Sequence, residues 1–182
     1  MENSLRRPSA SSVTGNAAAD AITLATAITA GTIDLAAGTD SLTLGNFTNS
    51  ATVSNTETIT GGTGIDTITL GSALANTMTV DLAAGADTLI LGNFANTGTL
   101  SNVETITGNA GADAITLATQ NTGGTINLAA GTDSLTLGNF ANSATISNVE
   151  TITGNAAVDT ITLATAITAG TINLAGGTDV LT

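Results

Sequence analysis

No cysteine, histidine, tryptophan, tyrosine or lysine occurs in this 182-residue chain, and its only basic side chains are Arg6 and Arg7. Without cysteine there is no disulfide framework and no thiolate metal site. Both arginines precede everything regular in the sequence, all acids except Glu2 follow them, and the formal net charge is −12. A nucleic-acid-binding face needs clustered basic residues, so nucleic acid is not an expected partner. Aromatic content is 2%, all of it three phenylalanines. A rounded core of this size leans on bulky aromatics for buried area, so thin layers of Ile, Leu, Val and Ala suit the chain better. No run of about twenty apolar residues exists, so no transmembrane helix is expected. Disorder is the alternative for an acidic, low-complexity chain. A mean hydropathy of +0.36 and regularly spaced β-branched residues oppose it.

What is present is repetition. Units run over residues 15–60, 61–107 and 108–153, with a partial unit at 154–182. Periods of 20–50 residues mark solenoids, propellers or arrays. Each unit opens with a turn-forming stretch and an acid followed by x-Ile-Thr-Leu, at Asp20, Asp66, Asp113 and Asp159. A second acid, in Gly-x-Asp, stands 20 or 21 residues later at Asp40, Asp87, Asp133 and Asp179. Apolar and small polar residues alternate after each acid, the signature of half-buried strands, and helical spacing is absent. The Asp spacing predicts an all-β, right-handed parallel β-solenoid of about seven coils, two coils per unit, with the aspartates stacked at one corner. The preceding residues, 1–14, have no apolar stretch after their arginines and do not read as a secretory signal. They are expected to be a disordered or loosely capping leader.

Other residues recur once per unit. Phe47, Phe94 and Phe140, each in Gly-Asn-Phe, are expected as a stacked internal or corner column. Asn46, Asn93 and Asn139, with Asn55, Asn102 and Asn148, are expected to satisfy turn backbone groups as amide ladders.

Stacked aspartates about 4.8 Å apart would repel by roughly 3–4 kcal/mol per adjacent pair at an effective dielectric near 20. The carboxylates can splay into water, accept turn N–H groups, or share a cation. The stretch Gly61-Gly62-Thr63-Gly64-Ile65-Asp66-Thr67-Ile68-Thr69 reads G-G-x-G-x-D-x-U-x, with U a large apolar residue. It resembles the nonapeptide of RTX toxins and related secreted proteins, whose parallel β-roll holds Ca2+ between Gly-rich turns. The resemblance implies that Asp66 is a carboxylate ligand, with carbonyls around Gly61, Thr63 and Gly64. It extends the role to Asp20, Asp40, Asp87, Asp113, Asp133, Asp159 and Asp179. The other units depart from the pattern: Ala18 and Ala157 stand where a glycine is expected. The surrounding Thr/Ala/Gly-rich units also resemble repeat regions of large bacterial surface proteins, including adhesins and S-layer proteins.

The repeats hold only carboxylates and hydroxyls for chemistry. Carboxylate pairs can cleave glycosides, but these acids are periodic and none is unique, so catalysis is not expected. The expected role is a structural segment of an extracellular or cell-surface bacterial protein, with Ca2+ as a candidate ion and end-to-end association with copies of itself. The alternative is an ice- or surface-binding solenoid, because T-x-T pairs such as Thr58/Thr60, Thr67/Thr69 and Thr105/Thr107 would stack as outward ladders, interrupted at Ala21 and Ala114.

Overall fold

The computed structural model describes residues 12–182, which are all β-structure and turns, without a helix. β1 (Ser12–Asn16) opens the stack, so the solenoid begins before Gly15. The leader expected over 1–14 otherwise falls on residues 1–11, which lie outside the described part. The first unit supplies β2 (Ala21–Thr23), β3 (Gly31–Ala36), β4 (Ser41–Thr43), β5 (Asn49–Ser54) and β6 (Thr58–Gly62). The second supplies β7 (Asp66–Leu70), β8 (Thr79–Ala83), β9 (Thr88–Ile90), β10 (Thr97–Ser101) and β11 (Thr105–Thr107). The third supplies β12 (Ala114–Leu117), β13 (Thr122–Asn127), β14 (Ser134–Thr136), β15 (Ser143–Ser147) and β16 (Thr151–Thr153). β17 (Thr160–Leu163), β18 (Thr171–Asn173) and β19 (Val180–Leu181) follow.

Odd strands form one ten-stranded sheet and even strands one nine-stranded sheet, and neighbouring strands in both run parallel. The chain therefore winds as a β-solenoid two sheets thick. Alternation explains which residues point inward: Ile33, Leu35, Leu42, Ile59, Ile68, Leu89 and Ile106 are fully buried between the sheets, while the threonines beside them face out. The aliphatic supply read from the composition fills a core one side-chain layer deep on each inner face.

The coil arithmetic differs from expectation. A unit contributes five strands, hence two and a half coils, and the coils are 17, 20 or 21 residues long. They are shorter and more numerous than the seven coils expected. The reason is that Glu57, Glu104 and Glu150 also lead strands into the stack, at Thr58, Thr105 and Thr151, so counting aspartates alone misses one acid-led strand start per unit. An odd number of strands has a second consequence. Equivalent residues of successive units fall on opposite sheets, and only every second unit returns to the same edge.

The phenylalanines follow this rule. Phe47 and Phe140 lie in turns from the nine-stranded to the ten-stranded sheet, and Phe94 lies in a turn on the opposite edge. They do not stack. Each is about two-fifths exposed and folds back over its own glycine, with the Phe N–H donating to the glycine carbonyl two residues earlier at 2.7–2.9 Å. The asparagines do serve turns: Asn46, Asn93 and Asn139 accept from Thr63, Ala110 and Ala156 N–H one coil away.

Strain is stored in one recurrent place. Ala36, Ala83, Ala129 and Ala175 have φ of 64–70°, each held by its N–H donating to Asp34, Asp81, Asn127 or Asn173 at 2.9–3.0 Å. A left-handed alanine costs about 1–2 kcal/mol, part of which glycine returns as unfolded-state entropy. Ala83→Gly and Ala129→Gly are each expected to stabilise the protein by about 0.5–1 kcal/mol in denaturant melts. Destabilisation by either would show the strain to be relieved some other way.

Candidate functional site: two buried acid ladders

The expected single column of aspartates is two ladders, one along each edge of the solenoid. On the edge where the chain passes from the ten-stranded to the nine-stranded sheet, Asp20 N–H donates to Asp40 Oδ1 at 2.7 Å and Asp40 N–H to Glu57 Oε2 at 2.7 Å. After an apolar position at Leu74, whose N–H meets Asn96 Oδ1, the ladder resumes as Asn96, Asp113, Asp133 and Glu150, with steps of 3.1, 2.7 and 2.7 Å. On the opposite edge Asn49, Asp66, Asp87 and Glu104 step at 3.1, 2.7 and 2.8 Å. Asn142, Asp159 and Asp179 continue it. All these bonds run one way: the N–H leading each strand donates to the side chain one coil further on.

Thus the backbone N–H of the ladder aspartates and asparagines up to Asp159, which lacks a place in the sheet ladder, is satisfied by a carboxylate or amide one coil on, while the Glu57 and Glu150 N–H groups donate to the Asp40 and Asp133 carbonyls. Asn49, Asn96 and Asn142 escape sequence reasoning because they stand apart from any acid; their recurrence at 46–47 residues is the signal that could have found them. The expected site residues are therefore separated. Asp66, Asp87 and Asp159 stand on one edge with Asp179, and Asp20, Asp40, Asp113 and Asp133 stand on the other. Gly61 is the penultimate residue of β6, Thr63 N–H donates to Asn46, and Gly64 lies against the Phe47 carbonyl.

The carboxylates are shielded from water. Asp40, Asp66, Asp87, Asp113, Asp133 and Asp159 are at most 1% exposed, and the Oδ2 of each has no hydrogen-bond partner. Burial raises the Asp66 carboxyl above its usual range, against opposing hydrogen bonds from the Asn49 side chain and N–H. The Gly62 N–H also favours the charged form without closing a bond to Oδ2. Asp87 is pushed up to about 6, first by burial, with the charges of Asp66 and Glu104 adding to it against the Asp66 N–H bond. Asp113 and Asp133 are raised mainly by burial too.

A Ca2+ ion takes six to eight oxygens at 2.3–2.6 Å. The donors here do not fit one. Each ladder aspartate after Asp20 spends Oδ1 on an N–H of the neighbouring coil, as Asp66 Oδ1 does on both Asn49 N–H and Asn49 Nδ2 at 3.1 and 2.8 Å. Aspartate oxygens also lie close to glycine backbone, at Gly15, Gly85 and Gly131. Among the described residues no three acids come together as a metal site requires. Millimolar Ca2+ or EDTA is accordingly expected to leave the melting temperature unchanged, whereas a bound ion would raise it by mass action. A Ca2+-dependent rise lost in Asp66→Ala would restore the ion to the ladder.

The outward threonines are the other regular array. Ser50, Thr67, Thr88, Thr105, Thr125, Thr145 and Thr162 stand in register on the ten-stranded sheet. Thr162 and Thr182 hydroxyls extend the column at 3.1 Å. Ala21 and Ala114, which were expected to interrupt the ladder, both belong to the nine-stranded sheet and leave this column whole. Comparison with family models, with curated proteins and with solved structures finds no match.

Proposed function

We propose that this chain is a non-catalytic structural segment of a secreted or cell-surface bacterial protein, a stiff rod that associates end to end with copies of itself. One observation carries the reading. From Ser12 to Leu181 the chain is spent on a single uninterrupted stack, and the aspartates from Asp20 to Asp179 on its edges accept the backbone N–H groups that the stack leaves over. Carboxylates committed in this way hold coils together and are not poised toward a substrate. The resemblance of Gly61 to Thr69 to secreted β-roll repeats supports the extracellular placement. No ion is assigned to the ladders.

Light scattering and electron microscopy against concentration test the reading. Rods of several chain lengths are expected, and salt is expected to promote them by screening the net charge of −12. Particles that stay at 17.6 kDa at high concentration and high salt would refute it.

The whole threonine column favours a second reading, adsorption to a regular lattice such as ice. That reading predicts thermal hysteresis that is lost in Thr88→Tyr and Thr105→Tyr, and a solution showing none removes it.

A further inference from the structure

The order in which strands stack fixes where a second copy would seat. With the five strands of a unit lettered a to e, β2, β7, β12 and β17 are a-strands, and β3, β8, β13 and β18 are b-strands. β4, β9, β14 and β19 are c-strands, β5, β10 and β15 are d-strands, and β1, β6, β11 and β16 are e-strands. Because five is odd, each sheet stacks them in the same cycle, a-c-e-b-d. The ten-stranded sheet begins with the e-strand β1 and ends with the c-strand β19, so it holds two whole cycles. The strand that follows a c-strand in the cycle is an e-strand, and the e-strand at the far end of the chain is β1.

We infer that a second copy docks by laying its β1 along the free edge of β19, in the register already used three times inside the chain. This rests on the end-to-end reading above and specifies it. Every internal c-to-e pair has the same alignment: Leu42 opposite Ile59, Leu89 opposite Ile106, and Leu135 opposite Ile152. Transferred to the ends, it sets Val180 opposite Ser12 and Leu181 opposite Val13 of the next copy. Leu42, Leu89 and Leu135 are fully buried, whereas Leu181 is 47% and Val180 46% exposed. Val13 is only partly buried, where Ile59, Ile106 and Ile152 are fully so. Docking gives these residues the surroundings their counterparts have.

The nine-stranded sheet supports the same seating. It ends at the b-strand β18 and starts at the a-strand β2, so the cycle calls for one d-strand between them. A cavity of about 230 Å³ lies at that place, lined by Val13, Ile22, Leu24 and Ile28.

The absence of cysteine makes the register directly testable. In the full chain, Ser12→Cys combined with Val180→Cys is expected to give, on mild oxidation, a covalent series of dimers, trimers and longer species. Facing residues of adjacent parallel strands lie within disulfide range. Ser12→Cys combined with Thr182→Cys keeps both thiols on the outer face but two residues out of register, and at least tenfold less cross-linking is expected. Leu181→Asp, at a position 47% exposed in the single chain, is expected to weaken assembly at least tenfold, with circular dichroism confirming that the variant is folded. Assembly with equal cross-linking of the two cysteine pairs, or assembly indifferent to Leu181→Asp, would overturn this docking while leaving end-to-end association standing. No assembly of the parent chain would overturn both.

Discussion

Acidifying from about pH 7 to about pH 4 is expected to raise the unfolding midpoint of this protein, opposite to ordinary acid denaturation. The ladders are the reason. The folded state holds Asp66, Asp87, Asp113 and Asp133 with raised carboxyl pKa values, so it binds protons more readily than the unfolded chain does. Between the ordinary value of 3.8 and the value near 6 at Asp87, the folded state carries the extra proton. Stability therefore falls as pH rises through this window, is greatest below it, and is flat above it. No described basic side chain faces the ladder to reverse the sign; the charged neighbours of Asp87 are Asp66 and Glu104, both acids. A shift of that size corresponds to about 3 kcal/mol. Discounted for screening in a rod only two sheets thick, about 1–2 kcal/mol is the better expectation for Asp87. Asp87→Asn keeps an oxygen for the Asp66 N–H, so it should gain about 1 kcal/mol near pH 7 and flatten the profile. Urea melts across the range decide the matter. A midpoint that climbs from pH 4 to pH 7 would show that the ladder favours the charged carboxylate after all.

Gly61→Ala is expected to destabilise the protein by about 3 kcal/mol or more, a large effect for one methyl group. A Cβ at Gly61 would stand 2.1 Å from the Leu82 carbonyl oxygen and 2.6 Å from its carbon, both backbone atoms of the next coil. The coil cannot retreat without giving up its sheet hydrogen bonds. The equivalent residues Gly15, Gly108 and Gly154 make the same close approach to Leu35, Leu128 and Leu174. Two contrasts keep the test specific. A methyl group added at Gly176 would meet a single atom, at 3.8 Å, so Gly176→Ala is expected to be nearly neutral. A Cβ at Gly64 would stand 2.0 Å from the Phe47 carbonyl oxygen, and the third unit keeps glycine there as Gly111, yet the first and fourth units carry Ala18 and Ala157, and neither those alanines nor Gly64 has positive φ. Gly64→Ala should therefore cost less than Gly61→Ala. Equal losses at 61, 64 and 176 would show that chain entropy, not contact with the next coil, sets the cost.

The fold class was legible in the amino-acid order. Alternating Thr and Ile or Leu after each acid can bury one face only as strands, and a 46–47-residue period with so few aromatics leaves stacking as the way to cover that face. Legible too were the service of turn asparagines to backbone groups and the lack of anything basic to balance the acids. The number of coils, the edge on which each acid stands and the state of the carboxyls emerged only once the chain was wound. Phase was the first obstacle: Glu57 and its counterparts lead strands as the aspartates do, but their longer side chain and different sequence setting hide the equivalence until the coils are superposed. Parity was the second. Five strands per unit send Asp20 and Asp66 to opposite edges, so residues identical in sequence are not neighbours in space. Burial was the third, because a carboxylate leading a strand reads the same whether it reaches water or the N–H of the next coil. Only packing of one coil on another closes water out from Asp66 and Asp87, and that packing is between residues 17 to 21 apart in the chain.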